Sequence, residues 1–158
     1  MRICIVGAGA IGGLVGARLA AAGETVSVLA RGANLEAIRA RGLAVIEPDG
    51  TELRAQVAAA SPDTSELGPQ DVIVLALKAH QLAGVADELQ SLYDAESVVV
   101  PMQNGIPWWF FQRFPGPYEG LRLQTLDPDA VLAHAWEIGG VRSTLRKRAM
   151  HRLRSPSH

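Results

Sequence analysis

Three features of the sequence predict an α/β fold built on a doubly wound, mainly parallel sheet. Residues 1–30 read as strand, glycine turn, helix and strand, and two later apolar runs, DVIVLAL and SVVVP, each end in polar residues. Strands alternating with helical stretches are the pattern of parallel sheets, whose strands are covered on both faces and therefore run continuously apolar.

Arg2 to Val6 supplies the first such run, with β-branched Ile3, Ile5 and Val6. Gly7, Gly9 and Gly12 follow at G-x-G-x-x-G spacing. The first glycine permits a tight turn, the second lets backbone approach a pyrophosphate, and the third lets a helix pack closely on the strand. Ile11 to Ala22, rich in Ala and Leu, is the expected helix, with Gly23 to close it. Its first N–H groups face the turn, where a phosphate sits. Thr25 to Ala30 is the second strand, so Gly7, Ala8, Gly9, Ala10, Ile11 and Gly12 form the expected dinucleotide-binding turn. The uncharged stretch from Ile3 to Ala17 also invites reading as an export signal. Only Arg2 precedes it, glycines interrupt it and a strand pattern follows, so that reading is rejected. A glycine-loosened helix in a bundle fails on the β-rich flanks.

Composition sets the frame. With 158 residues, 48% hydrophobic and 20% charged, the chain has room for one domain or one and a small appendage. No run approaches the ~18 apolar residues of a membrane span. Cys4 is the single cysteine and falls in the first strand, so a buried thiol in a reducing cytoplasm is expected. His80, His134, His151 and His158 have no metal-ligand spacing.

Arg31 follows the second strand, where an acidic residue would favour the ribose 2′-hydroxyl of NAD. A guanidinium favours a 2′-phosphate instead, pointing to NADP. Asn34 to Ala40 is an expected short helix closed by Gly42, and Leu43 to Glu47 with Thr51 to Val57 an expected hairpin around Pro48, Asp49 and Gly50. Pro62 to Gly68 reads as a polar connection. Asp71 to Leu77 is a buried strand that ends at Lys78, and Ala79 to Leu92 an expected helix with His80 and Gln81 in its first turn. Ser97 to Pro101 is the next strand, ending at Gln103, Asn104 and Gly105. Ligands of open α/β sheets bind beyond the carboxyl ends of strands, so Lys78 and Asn104 are placed to meet cofactor or substrate. The plainer reading makes Lys78 a helix start and Asn104-Gly105 an ordinary turn.

The combination of GAGAIGG at 7–13, Arg31, LALKAHQ at 75–81 and QNGIPWW at 103–109 resembles the ketopantoate reductase (2-dehydropantoate 2-reductase) family over about residues 1–140. The resemblance implies a Rossmann-type domain and NADPH-dependent reduction of 2-dehydropantoate to pantoate, towards pantothenate and coenzyme A. It implies that Gly7 to Gly12 hold the pyrophosphate, Arg31 the 2′-phosphate, and Lys78 a place by the nicotinamide ribose. Asn104 would contact cofactor and 2-keto acid, whereas Trp108 and Trp109 are expected to pack beneath the crevice. Family members carry a second, helical domain with the proton-donor lysine, and the sequence has no counterpart of it, so no catalytic residue is named and Lys147 does not take that role. Residues 141–158 hold six of the 15 basic residues and none of the 16 acidic ones. This basic tail is expected to lie outside the fold, disordered or aberrant, as a frameshift or premature stop would leave it. It lacks the aromatic platform of a nucleic-acid site. Neither nucleic acid nor membrane is therefore expected as a partner, while a homodimer is, through exposed apolar surface. The competing functions are an NADP-binding module without turnover and a reductase of another 2-keto acid.

Overall fold

The computed structural model describes residues 1–111, 115–127 and 129–133. The predicted tail at 141–158 lies outside the described residues.

Five strands form one all-parallel sheet in the order β5-β2-β1-β6-β7: β1 Arg2–Val6, β2 Thr25–Leu29, β5 Ala59–Ser61, β6 Val72–Leu75 and β7 Val98–Pro101. The register pairs Ile3 with Val26 on one side and with Val72 on the other. This is the doubly wound arrangement that the apolar runs predicted, with the strand order reversing between β1 and β6. An antiparallel pair, β3 Leu43–Ile46 and β4 Glu52–Ala55, makes a separate small sheet. Its turn is held by Thr51, whose N–H and hydroxyl both donate to Asp49 Oδ1.

Helices α1 Ala10–Ala21 and α2 Gly32–Arg41 lie against one face. There Ala17, Leu35, Ile38 and Leu43 pack on Ile3, Ile5, Val26 and Val28. Helix α1 ends as Gly23 predicts: with φ +89°, Gly23 donates to the Ala20 carbonyl and Glu24 to that of Leu19, the paired bonds of a Schellman motif. On the opposite face Leu82, Ala86, Leu89, Leu92 and Trp108 cover Cys4, Val6, Ile73 and Val99. Burial in this second core pushes the Cys4 thiol up to about 12, so it stays protonated through the neutral range. At the amino edge, Arg2 joins β1 to Asp71 just before β6: its main-chain N–H first, then its guanidinium, holds the Asp71 carboxyl below the usual carboxylate range.

Two expectations are corrected. The stretch predicted as one helix over Ala79 to Leu92 is three 3-10 pieces, Ala79–Gln81, Ala83–Val85 and Glu88–Leu92. Its bonds span three residues, from Leu82 to Ala79 and from Val85 to Leu82. Gly84 in its middle costs about 1 kcal/mol against alanine in an α-helix, yet Leu82, Ala86 and Leu89 still meet the core on one side. Strand β5 was not foreseen, and the second hairpin strand stops at Ala55 rather than Val57. Ala59, Ala60 and Ser61 have little strand preference of their own; Ser27, Val28 and Leu29 supply the ladder that makes them one.

Candidate functional site

Each carboxyl end of the four strands β2, β1, β6 and β7 releases one of the residue groups singled out by the sequence. In sheet order these are Arg31, the glycine turn, Lys78 and Asn104. The turn is held from both sides, since Gly7 N–H donates to the Leu29 carbonyl and Ala76 N–H to that of Val6.

Its three glycines are demanded for three different reasons. Gly7 has φ +95°, and a Cβ there would lie 2.6 Å from the Leu77 side chain. Gly12 is more crowded still: an added Cβ would sit 2.0 Å from the Gly7 carbonyl oxygen and 2.9 Å from Ala76 Cβ, so α1 crosses the turn in contact. Gly9, the N-cap of α1, has ordinary extended backbone and nothing within 4 Å of such a Cβ. No side chain caps the helix, and no acidic residue occupies its first turn. Bare backbone N–H groups at the positive end of a 12-residue helix, open where Gly9 lacks a side chain, make a seat for an anion. The residues present therefore fit a dinucleotide's pyrophosphate.

Two further residues shape this seat, and the sequence reading missed both. Asn34 of α2 donates through Nδ2 to the Ala8 carbonyl at 2.9 Å, which ties the start of α2 to the turn. Gly16, one turn of helix beyond Gly12, would place a Cβ 2.8 Å from Leu43 and 3.2 Å from Ile5, so α1 lies tight against both β1 and the hairpin. Asparagine near a helix start carries a local signal for capping, though not for the partner it finds here.

Lys78 is exposed, and its main-chain N–H is accepted by Gln81 Oε1 at 3.0 Å. Gln81 thus secures the bend after β6, while His80 points to solvent. Leu75 is in register with Pro101, and Met102 N–H donates to the Leu75 carbonyl, so the loops carrying Lys78 and Asn104 leave adjacent strands side by side. Between them opens a cavity of about 170 Å³ lined by Ala79, Gln103, Asn104, Ile106, Trp108 and Leu132. Gln103 Nε2 is buried at its wall with no hydrogen-bond partner among the described residues. Trp108 is buried and meets Trp109 edge to face at 5.5 Å, packing beneath the loop. A larger groove of about 700 Å³ runs from Ala8 and Gly9 between α1, α2 and the hairpin, bordered by Arg18, Arg41 and Arg54.

Arg31 is not free. Its Nη2 donates to Glu88 Oε2 at 2.6 Å, in an ion pair with both side chains about half exposed.

A parallel sheet with this glycine turn at its switch point defines a Rossmann-type domain, the class that takes dinucleotides at the carboxyl edge. More narrowly, the chain belongs to the ketopantoate reductase PanE/ApbA family, whose profile matches residues 3–107. A 2-dehydropantoate 2-reductase of Mesorhizobium japonicum is 53% identical over 133 residues, 84% of this chain and 40% of that protein. The Pyrococcus horikoshii 2-dehydropantoate 2-reductase is 36% identical, covering 67% of this chain and 34% of its own length. Among solved structures, a ketopantoate reductase homologue from Ralstonia solanacearum MolK2 superposes with a TM-score of 0.80 at 51% identity, over 85% of this chain and 41% of that one. A D-mandelate dehydrogenase, solved with NADH and anilino(oxo)acetate, matches with a TM-score of 0.58 at 32% identity, over 67% of this chain and 34% of its own. The chain therefore spans about two fifths or less of the length of these relatives. No helix among the described residues is long and apolar enough to cross a membrane.

Proposed function

We propose that the chain forms the NADP-binding part of a reductase that converts 2-dehydropantoate to pantoate. The observation that carries this reading is the uncapped N-terminus of α1 beneath an open Gly9, in line along one sheet edge with Arg31, Lys78 and Asn104. In it, Gly7, Ala8, Gly9, Ala10, Ile11 and Gly12 hold the pyrophosphate, and Arg31 pairs with the 2′-phosphate through charge-assisted hydrogen bonds. Lys78 lies beside the nicotinamide ribose. Asn104 orients both the nicotinamide and the keto acid, which the small cavity behind it helps to keep from water. When bound, the nicotinamide supplies the hydride that the carbonyl carbon accepts. A proton must also reach the carbonyl oxygen, and the residues above bind and orient without donating it.

Loss of a general acid costs about 10²–10⁴ in rate, so the chain by itself should bind NADPH and turn over slowly. Absorbance at 340 nm after adding 2-dehydropantoate to the chain with NADPH tests this. Oxidation slow enough to need long incubation agrees with the reading. Fast turnover would make Lys78 the donor, and no oxidation by a NADPH-saturated chain favours a binding module without turnover. The likeness to a D-mandelate dehydrogenase bound to a 2-oxo amide acid favours, as second reading, a different 2-keto acid as substrate. Exposed Val100, Met102, Ile106 and Phe110 on and after β7 support self-association into a homodimer, which light scattering tests. A cytoplasmic location accords with the lone buried Cys4.

A further inference from the structure

Resting on that reading of Arg31, we infer that Glu88 sets how strongly the chain distinguishes NADPH from NADH. The two residues come from opposite faces of the sheet. Arg31 leaves the carboxyl end of β2 and opens α2, whereas Glu88 belongs to the 3-10 piece that covers the other face after β6. They meet over the edge, Nη2 to Oε2, at 2.6 Å.

Glu88 is held there by its backbone and not by chance of a long side chain. Its carbonyl accepts from both the Thr64 and the Ser91 hydroxyls, and its neighbours Leu89 and Leu92 are fully buried. A carboxylate fixed on the guanidinium has two consequences for an adenosine ribose docked at Arg31. With a 2′-phosphate it competes for the same N–H donors and repels a like charge, which weakens the NADP form. With a 2′-hydroxyl it offers the acceptor that an acidic residue after the second strand would otherwise provide, which aids the NAD form. Arg31 alone argues for NADP, but the pair argues for a chain that takes both cofactors with a narrow preference.

Both side chains are about half exposed, so the coupling is that of a surface pair, about two- to fivefold in affinity. Nicotinamide fluorescence titrations with NADPH and NADH, at low and at high salt, on the wild-type chain, Glu88→Gln and Arg31→Ala, test this. The isosteric Glu88→Gln leaves the backbone anchors in place, and circular dichroism verifies the fold. The expected result is NADPH binding tighter by two- to fivefold in Glu88→Gln, NADH binding weaker by a similar factor, and both changes reduced by salt. An unchanged ratio of the two affinities in Glu88→Gln, with NADPH binding still dependent on Arg31, overturns the role of Glu88 alone. A folded wild-type chain that binds neither nucleotide overturns the dinucleotide reading and this inference together.

Discussion

Alanine at Gly12 and alanine at Gly9 should separate what the turn does for the fold from what it does for a ligand. At Gly12 the new methyl would lie 2.0 Å from the Gly7 carbonyl oxygen and 2.9 Å from Ala76 Cβ, against 3.4–4 Å for ordinary contact. Helix and turn must part by more than ~1 Å, and neither contact is the yielding end of a long side chain. Overpacking of this kind costs about 1–3 kcal/mol. For a chain of this size that lowers Tm by roughly 3–10 °C. At Gly9 the methyl meets nothing within 4 Å, and φ −74° suits alanine, so the fold loses at most ~1 kcal/mol from the poorer N-cap. The methyl does fill the anion seat, where losing one charge-assisted hydrogen bond weakens binding by about ten- to a hundredfold. Thermal unfolding and NADPH titration on both variants give the comparison. A Gly12→Ala chain as stable as wild type would show that helix and turn part without cost, and a Gly9→Ala chain that keeps its NADPH affinity would show that no anion sits at Gly9.

Arg31→Ala should weaken NADPH much more than NADH in the same titrations; equal losses would remove Arg31 from the 2′-phosphate. Gly84 has ordinary backbone and open space at its Cβ, so Gly84→Ala should stabilise the 79–92 segment by about 0.4–1 kcal/mol and raise helical circular dichroism; a loss of stability would mean that the glycine is needed for the 3-10 path. The folded Cys4 thiol ionises near 12 and the unfolded one near 9. Protons are thus released on unfolding between those values, and stability should fall as pH rises through that window, by at most ~1.4 kcal/mol per pH unit. Urea melts at pH 8 and pH 10 on wild type and Cys4→Ala measure it: a wild-type decline no steeper than that of Cys4→Ala would show that the thiol is not buried.

The parts of this fold legible in the sequence are those whose cause is local. Ile3, Ile5 and Val6 make a strand, Gly7 to Gly12 make the turn, and Gly23 closes α1, each through its own residue type and spacing. The place of Lys78 and Asn104 at the sheet edge is legible because DVIVLAL and SVVVP mark where their strands stop. What escaped depends on partners far along the chain. Ala59 to Ser61 become a strand only beside β2, and Asn34 finds Ala8 only once α2 has folded back. Glu88, 57 residues from Arg31, carries no local sign that it will reach it. The 3-10 course of 79–92 lay hidden behind a correct apolar spacing, because Leu82, Ala86 and Leu89 face the core with either hydrogen-bond pattern.

The glycine turn and the adjoining strand ends should together seat the dinucleotide. Amide chemical shifts of the isotopically labelled chain, followed by NMR during addition of NADPH, test it most directly. Saturable shifts led by Gly9, Ala10, Ile11 and Gly12, joined by Arg31, Lys78 and Asn104, are expected. Shifts confined to the Arg18, Arg41 and Arg54 groove, or none in a folded chain at millimolar NADPH, would contradict it.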